Sequence, residues 1–269
     1  MALLSMMLAL GGCRTSTDAT RSTTPHPDNQ RATVEYFVEH PHGKGPWPTV
    51  VLLHGHQDAT AAIGGRAYVN WGVLKRFARK GYLAVSVSLP GYGGSDGPRD
   101  FAGRYTQRAV GAVIEKLVVE QAANPDKLLI EGVSLGAVTG ALVAADNPRL
   151  SGLVLISGLY DFPAFFNPPK TAAAMGIKAS LVQQTGGSDA ALRARSALYV
   201  APRIRAATLI LNGARDDRTD PAQALKLADA INTHGGRARA IIFPEFGHEI
   251  PVAARDTEID AFIETVLRR

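Results

Sequence analysis

The chain has 269 residues, 46% of them hydrophobic and 20% charged, with a formal net charge of +5. That is enough chain to cover a sheet on both faces, and it fits one large globular domain. The basic residues are scattered, with no aromatic-interleaved basic run, which excludes a nucleic-acid footprint and leaves a charge of general solubility. The single cysteine, Cys13, excludes an intramolecular disulfide and a cysteine-rich zinc site.

Residues 1–12 are apolar and small. A run of about eleven such residues is too short to span a bilayer and has the length of a signal-peptide core. Leu10-Gly11-Gly12-Cys13 resembles a bacterial lipobox. The resemblance implies a lipidated Cys13, membrane anchoring through it, and a place in the cell envelope, lipid-anchored or periplasmic. No Lys or Arg precedes the apolar run, a departure from that pattern. Residues 14–30 are rich in Ser, Thr, Asp, Asn and Pro and read as a flexible tether. Residues 31–269 are then the folded domain.

Along that domain, residues 33–38 alternate like a half-buried strand. Residues 49–53 form a continuous apolar run, the pattern of a strand buried in a parallel sheet. An amphipathic helix is predicted over 71–80, stopped by Gly81, followed by a strand over 83–87. Residues 105–121 read as a helix with Val110, Val113, Ile114, Leu117 and Val118 on one side. Further strands are predicted over 128–133, 152–156, 208–211 and 240–243, and helices over 137–147, 221–233 and 256–267. Strands alternating with helices imply a mostly parallel sheet covered on both faces. About fifty residues separate Ile156 from Thr208, too many for a loop. With helical patterns over 171–184 and 189–200 behind a Phe162, Phe165, Phe166 cluster, the stretch 158–206 reads as an inserted lid. The cluster suits either an apolar acyl pocket or packing within the lid.

The chemistry centres on Gly132-Val133-Ser134-Leu135-Gly136, set between a strand and a helix. Gly-x-Ser-x-Gly arises by chance in roughly one such chain in ten, so its context must carry the inference. A strand turning sharply into a helix with Ser at the apex is a nucleophile elbow. The turn needs glycines where strand and helix pass closely, and it aims the Leu135 amide at a developing oxyanion. A serine hydroxyl also needs a base, and the base a carboxylate, in the chain order Ser, Asp, His. Asp216, just past the strand over 208–211, is the preferred carboxylate. Asp217 is its immediate rival and Asp220 a weaker one, since all three also suit a turn and helix cap before Pro221. His248 lies past the last strand and alone among seven histidines has the right place in this order. His26, His40 and His42 fall in a Pro-rich region and read as solvated, and His234 as a helix-end cap. In His54-Gly55-His56-Gln57, the main-chain amide of His56 is the second oxyanion donor and His54 a structural hydrogen bonder. Residues 90–97 are Gly-rich but lack Gly-x-Gly-x-x-Gly, which leaves a tight loop beside the site rather than a nucleotide cradle.

Together these residues resemble the α/β-hydrolase superfamily: His54-Gly55, Pro90-Gly91-Tyr92-Gly93-Gly94-Ser95, the elbow pentapeptide, Gly213-x-x-Asp216 and Gly247-His248. The final third is similar to the catalytic domain of the prolyl oligopeptidase family, in Arg195-Ser196-Ala197-Leu198, Asn212 to Arg218 and Pro244-x-x-Gly247-His248. That resemblance implies Asp216 as the triad acid. The family usually carries an aromatic residue after the nucleophile and then a Gly pair, where this chain has Leu135 and Gly136-Ala137. It also usually carries an N-terminal propeller, for which this sequence has no room. The resemblance implies an α/β-hydrolase fold and a serine hydrolase acting on a small ester, without metal or cofactor. A single-domain peptidase or amidase is the alternative, and a non-catalytic binding lipoprotein on the same fold a second. The substrate is then a small-molecule ester or a peptide.

Overall fold

A computed structural model describes residues 19–167 and 170–268. Cys13 and the predicted signal segment lie outside the described residues. Eight strands form one sheet in the order β1-β2-β4-β3-β5-β6-β7-β8. They are β1 (Thr20–His26), β2 (Asn29–Glu39), β3 (Trp47–Leu53), β4 (Leu83–Val87), β5 (Ala123–Val133), β6 (Leu150–Ile156), β7 (Ala207–Gly213) and β8 (Ala238–Phe243). The pairs β1-β2 and β2-β4 are antiparallel, and all the others are parallel. The helices are α1 (Arg66–Asn70), α2 (Val73–Arg79), α3 (Arg104–Val119), α4 (Leu135–Asp146), α5 (Phe162–Phe166), α6 (Ala172–Thr185), α7 (Asp189–Arg193), α8 (Pro221–Thr233) and α9 (Val252–Leu267).

The apolar runs of β3, β4, β5 and β6 are buried along both edges of their side-chain alternation, as parallel strands with two covered faces must be. One face packs on α3, α4 and α8, with Val110, Val113, Leu142, Leu227 and Ile231 in its core. The other packs on α1, α2 and α9 through Tyr68, Leu74, Phe77, Ile259 and Ile263. Each such fully buried side chain stabilises the fold by roughly 1.5–3 kcal/mol of transfer free energy. Helix α4 is buried from Leu135 to Ala145, so its sequence shows no polar face at all.

Three expectations are corrected. Residues 20–30 are not a tether: β1 pairs with β2 from Thr20↔Val38 to Pro25↔Thr33. Polar Thr and Ser suit an edge strand that shows one row of side chains to water, which is why the composition misleads. His26 is not solvated. It is 1% exposed, stacks on Tyr105 at 3.5 Å between centroids, and donates from Nε2 to the Tyr105 carbonyl at 2.9 Å. The helix predicted over 189–200 stops at Arg193 and resumes as a 3-10 turn at Ala197–Arg203. Ser196 there turns its hydroxyl back to the Leu192 carbonyl at 2.8 Å, and Pro202 excludes a regular α-helix.

The chain leaves β3 for β4 on one side and returns to β5 on the other. The loops after β3 and β5 therefore diverge at the carboxyl ends of the strands, where open parallel sheets form a crevice.

Candidate active site

Ser134 occupies the turn between β5 and α4 at φ 52° and ψ −113°. A non-glycine residue there stores strain of about 1–3 kcal/mol that the surroundings must hold. The flanking glycines show how. A Cβ on Gly132 would overlap the Gly136 carbonyl, and one on Gly136 would overlap the Leu53 carbonyl at the end of β3. Strand, helix and neighbouring strand are thus in backbone contact. Leu135 opens α4, so its amide has no acceptor within the helix.

Asp216 follows β7, and its carboxylate is wholly buried. It accepts hydrogen bonds from Asn212 Nδ2 at 3.2 Å, Thr219 Oγ1 at 2.6 Å and the amides of Arg218 and Thr219, each at 2.9 Å. His248 Nδ1 completes the set at 2.9 Å. Burial pushes the Asp216 carboxyl up, but the bonds from His248 and Thr219 outweigh it and hold the group below its ordinary value. The two rivals face elsewhere. Asp220 caps α8 by accepting from the Ala222 amide at 3.0 Å, and Asp217 is exposed. His248 follows β8 and directs Nδ1 at Asp216, which leaves Nε2 as its outer nitrogen. The loops carrying Asp216 and His248 are pressed together: a Cβ on Gly213 would overlap the carbonyls of Phe246 and Gly247.

The end of β6 joins these parts. The Ser134 amide donates to the Ile156 carbonyl at 2.8 Å. The next residue, Ser157, donates its amide to Leu211 on β7 and its hydroxyl to the His248 carbonyl, both at 2.8 Å. Ser157 gives no signal in the sequence, because a lone serine after a strand has no pattern to stand out from. Asn212 opens the segment Asn212 to Arg218 and Thr219 follows it, and only the folded loop shows that they hold the Asp216 carboxylate.

The loop after β3 is held from below. His54 Nδ1 donates to the Gly55 carbonyl at 2.7 Å, and its Nε2 accepts from the Leu89 amide at 3.1 Å. Burial, with the nearby Arg99 and His56 adding to it and the Gly55 bond opposing, brings His54 down to about 4. It is a neutral structural group, as its place in the sequence suggests. His56 is exposed and borders the same cavity as Ser134. Gly55 lies between them, its Cβ position 3.3 Å from Ser134 Cβ.

That cavity measures about 380 Å³. Phe101, Leu135, Val138, Leu159, Phe162 and Ile177 give it an apolar wall, and Ser134, His56, Ser180, Arg218 and Thr219 its polar points. Of the phenylalanine cluster, Phe162 borders the cavity, while Phe165 and Phe166 pack on each other at 5.2 Å. The residue Phe101, at the end of the Gly-rich loop after β4, carries no motif and is placed only by the fold. A wider groove of about 790 Å³ between α3 and the end of α4 lies away from all of these residues. Among the described residues no group of three His, Cys, Asp or Glu side chains could hold a metal ion.

Residues 74–268 match the prolyl oligopeptidase family, and the chain belongs to it. A dipeptidyl peptidase family member 6 from Caenorhabditis elegans is 22% identical over 243 residues, covering 83% of this chain and 31% of that protein. Among solved structures, a puromycin hydrolase superposes with a TM-score of 0.76 at 20% identity, over 93% of this chain and 39% of that one. An acylaminoacyl peptidase in complex with Z-Gly-Gly-Phe-chloromethyl ketone gives 0.75 at 17% identity, over 93% and 42%. An acetyl xylan esterase from Paenibacillus sp. R4 gives 0.73 at 18% identity, over 97% of this chain and 88% of that one. The chain thus spans less than half the length of these peptidases. The fold is that of the α/β-hydrolases, as the sequence motifs imply.

Proposed function

We propose that the protein is a serine hydrolase that cleaves small carboxylic esters through Ser134, His248 and Asp216. One observation carries the reading: a strained serine opens on an apolar cavity, at the end of the sheet where a buried carboxylate holds an imidazole. His248 Nε2 takes the Ser134 proton as Oγ attacks the ester carbonyl. The amides of Leu135 and His56 face the developing oxyanion. His248 then protonates the departing alcohol, the acyl group stays on Ser134, and a water activated by His248 releases it. Asp216 keeps the imidazole in the tautomer with the proton on Nδ1 and stabilises its charged form. The segment from α5 to the Ala197–Arg203 turn acts as the lid, since Phe162 and α6 border the cavity.

A fluorophosphonate probe is expected to label Ser134, and Ser134→Ala to lose kcat on nitrophenyl acetate by at least about 10⁴-fold. A folded protein that takes no label, or an alanine variant with full activity, would instead favour a binding role. The second reading, a single-domain peptidase or amidase, is favoured by the family to which the chain belongs. Faster turnover of short peptide anilides than of nitrophenyl esters would select it. The proposal includes an envelope location through a lipidated Cys13; the mass of the amino-terminal peptide, compared with that of Cys13→Ser, tests it.

A further inference from the structure

His56 lines the cavity, and the chemistry of its ring is fixed from behind. Its Nδ1 lies 3.0 Å from the Tyr92 hydroxyl. Tyr92 is only 3% exposed, and among the described residues that hydroxyl has no other hydrogen-bond partner. A buried hydroxyl must place its proton on an acceptor, so Tyr92 donates and Nδ1 accepts. A neutral imidazole that accepts at Nδ1 carries its proton at Nε2. Tyr92 is itself held rigidly. The Arg99 guanidinium lies 3.9 Å over its ring, and His54 meets the ring edge-on at 4.9 Å. Arg99 is pinned in turn by the Gly91 carbonyl at 3.1 Å and the Gln57 carbonyl at 3.2 Å. Desolvation, with the Arg99 charge added and Asp58 opposing, keeps His56 below the ordinary histidine value, which favours the neutral ring.

We infer that the His56 imidazole is a substrate-contacting hydrogen-bond donor, presenting Nε2–H to an oxygen of the bound ester, with Tyr92 as the positioning residue that sets its tautomer. The inference rests on the serine-hydrolase reading and adds a second, side-chain donor to the amide of the same residue. The site then holds two imidazoles of opposite tautomer: His248 with its proton toward Asp216, and His56 with its proton toward the cavity. One is arranged to move a proton and the other to keep it.

The test uses the full chain with His56→Phe, which keeps a ring but no donor, and Tyr92→Phe. The ring ¹⁵N spectrum of the wild type should show His56 protonated at Nε2, and Tyr92→Phe should mix the two tautomers. On a nitrophenyl ester, His56→Phe should lower kcat/KM by about 10²-fold, and Tyr92→Phe by about three- to tenfold. Fluorophosphonate should still label Ser134 in both variants, which shows a folded site. Wild-type kcat/KM in both labelled variants, or a His56 ring protonated at Nδ1, would overturn the inference. A wild type that takes no label would overturn the underlying hydrolase reading instead.

Discussion

A carboxylate that meets five donors is fixed in place before any substrate arrives. Asp216 accepts from Asn212, Thr219 twice, the Arg218 amide and His248. In Asp216→Asn an NH₂ group must face one of these donors, and the His248 tautomer loses its cause. The expected result is a fall in kcat of about 10⁴-fold with the fold retained, read by ester turnover and circular dichroism. Asp217→Asn changes an exposed side chain and should leave kcat within about twofold. The placement of Ser134, Asp216 and His248 just past β5, β7 and β8 was legible in the sequence, because each follows an apolar run. The choice between Asp216 and Asp217 was not a matter of spacing, since adjacent residues differ only in which way the loop turns them. His56 shows the same limit. The contact of its ring with Tyr92 joins residues thirty-odd positions apart and is invisible to any local pattern.

Among the elements, α6 bears most directly on what the site admits. It contributes Ala173, Gly176, Ile177 and Ser180 to the cavity, and a Cβ at Gly176 would meet nothing within 4 Å. A glycine inside a helix costs about 1 kcal/mol relative to alanine, so the space in front of it is kept at some expense to the helix. Gly176→Leu should fill part of the cavity while strengthening α6. Activity on long-chain nitrophenyl esters should fall at least tenfold relative to the acetate, with an unchanged or raised melting temperature. An equal loss on all chain lengths would mean that α6 does not border the acyl group. The helical pattern of α6 was readable from the sequence, as were α4, α8 and the parallel strands, because long buried runs and caps such as Pro221 leave strong local signals. Strand β1 was not, since an edge strand written in Thr and Ser has the composition of a linker. Its place is decided by the register with β2 and by His26 against Tyr105.

At the scale of the whole molecule, the centre of the sheet buries a carboxyl group on β5. Glu131 of β5 is 4% exposed, and its Oε2 has no hydrogen-bond partner among the described residues. Burial pushes its carboxyl up from 4.5 to about 7, with Arg255 and Arg76 opposing and Asp256 and Asp260 adding to the rise. The folded state therefore holds a proton that the unfolded chain releases near 4.5. The associated stability is complete below that value and is lost as pH rises through about 7, by at most about 3 kcal/mol. Glu131→Gln should flatten this dependence and make the protein more stable than the wild type at pH 8. Urea unfolding at pH 5 and pH 8 measures both, and a wild type no less stable at pH 8 would contradict the assignment. The same sheet has a quieter property at the end of β6. Ile156 and Ser157 hold the Ser134 turn, β7 and the His248 loop with consecutive backbone and hydroxyl bonds, though neither residue takes part in the chemistry. When that strand end shifts in thermal motion, the backbones of Ser134 and His248 are tied to shift with it. Their separation then fluctuates less than either position does, much as two instruments on one bench stay aligned while the bench trembles.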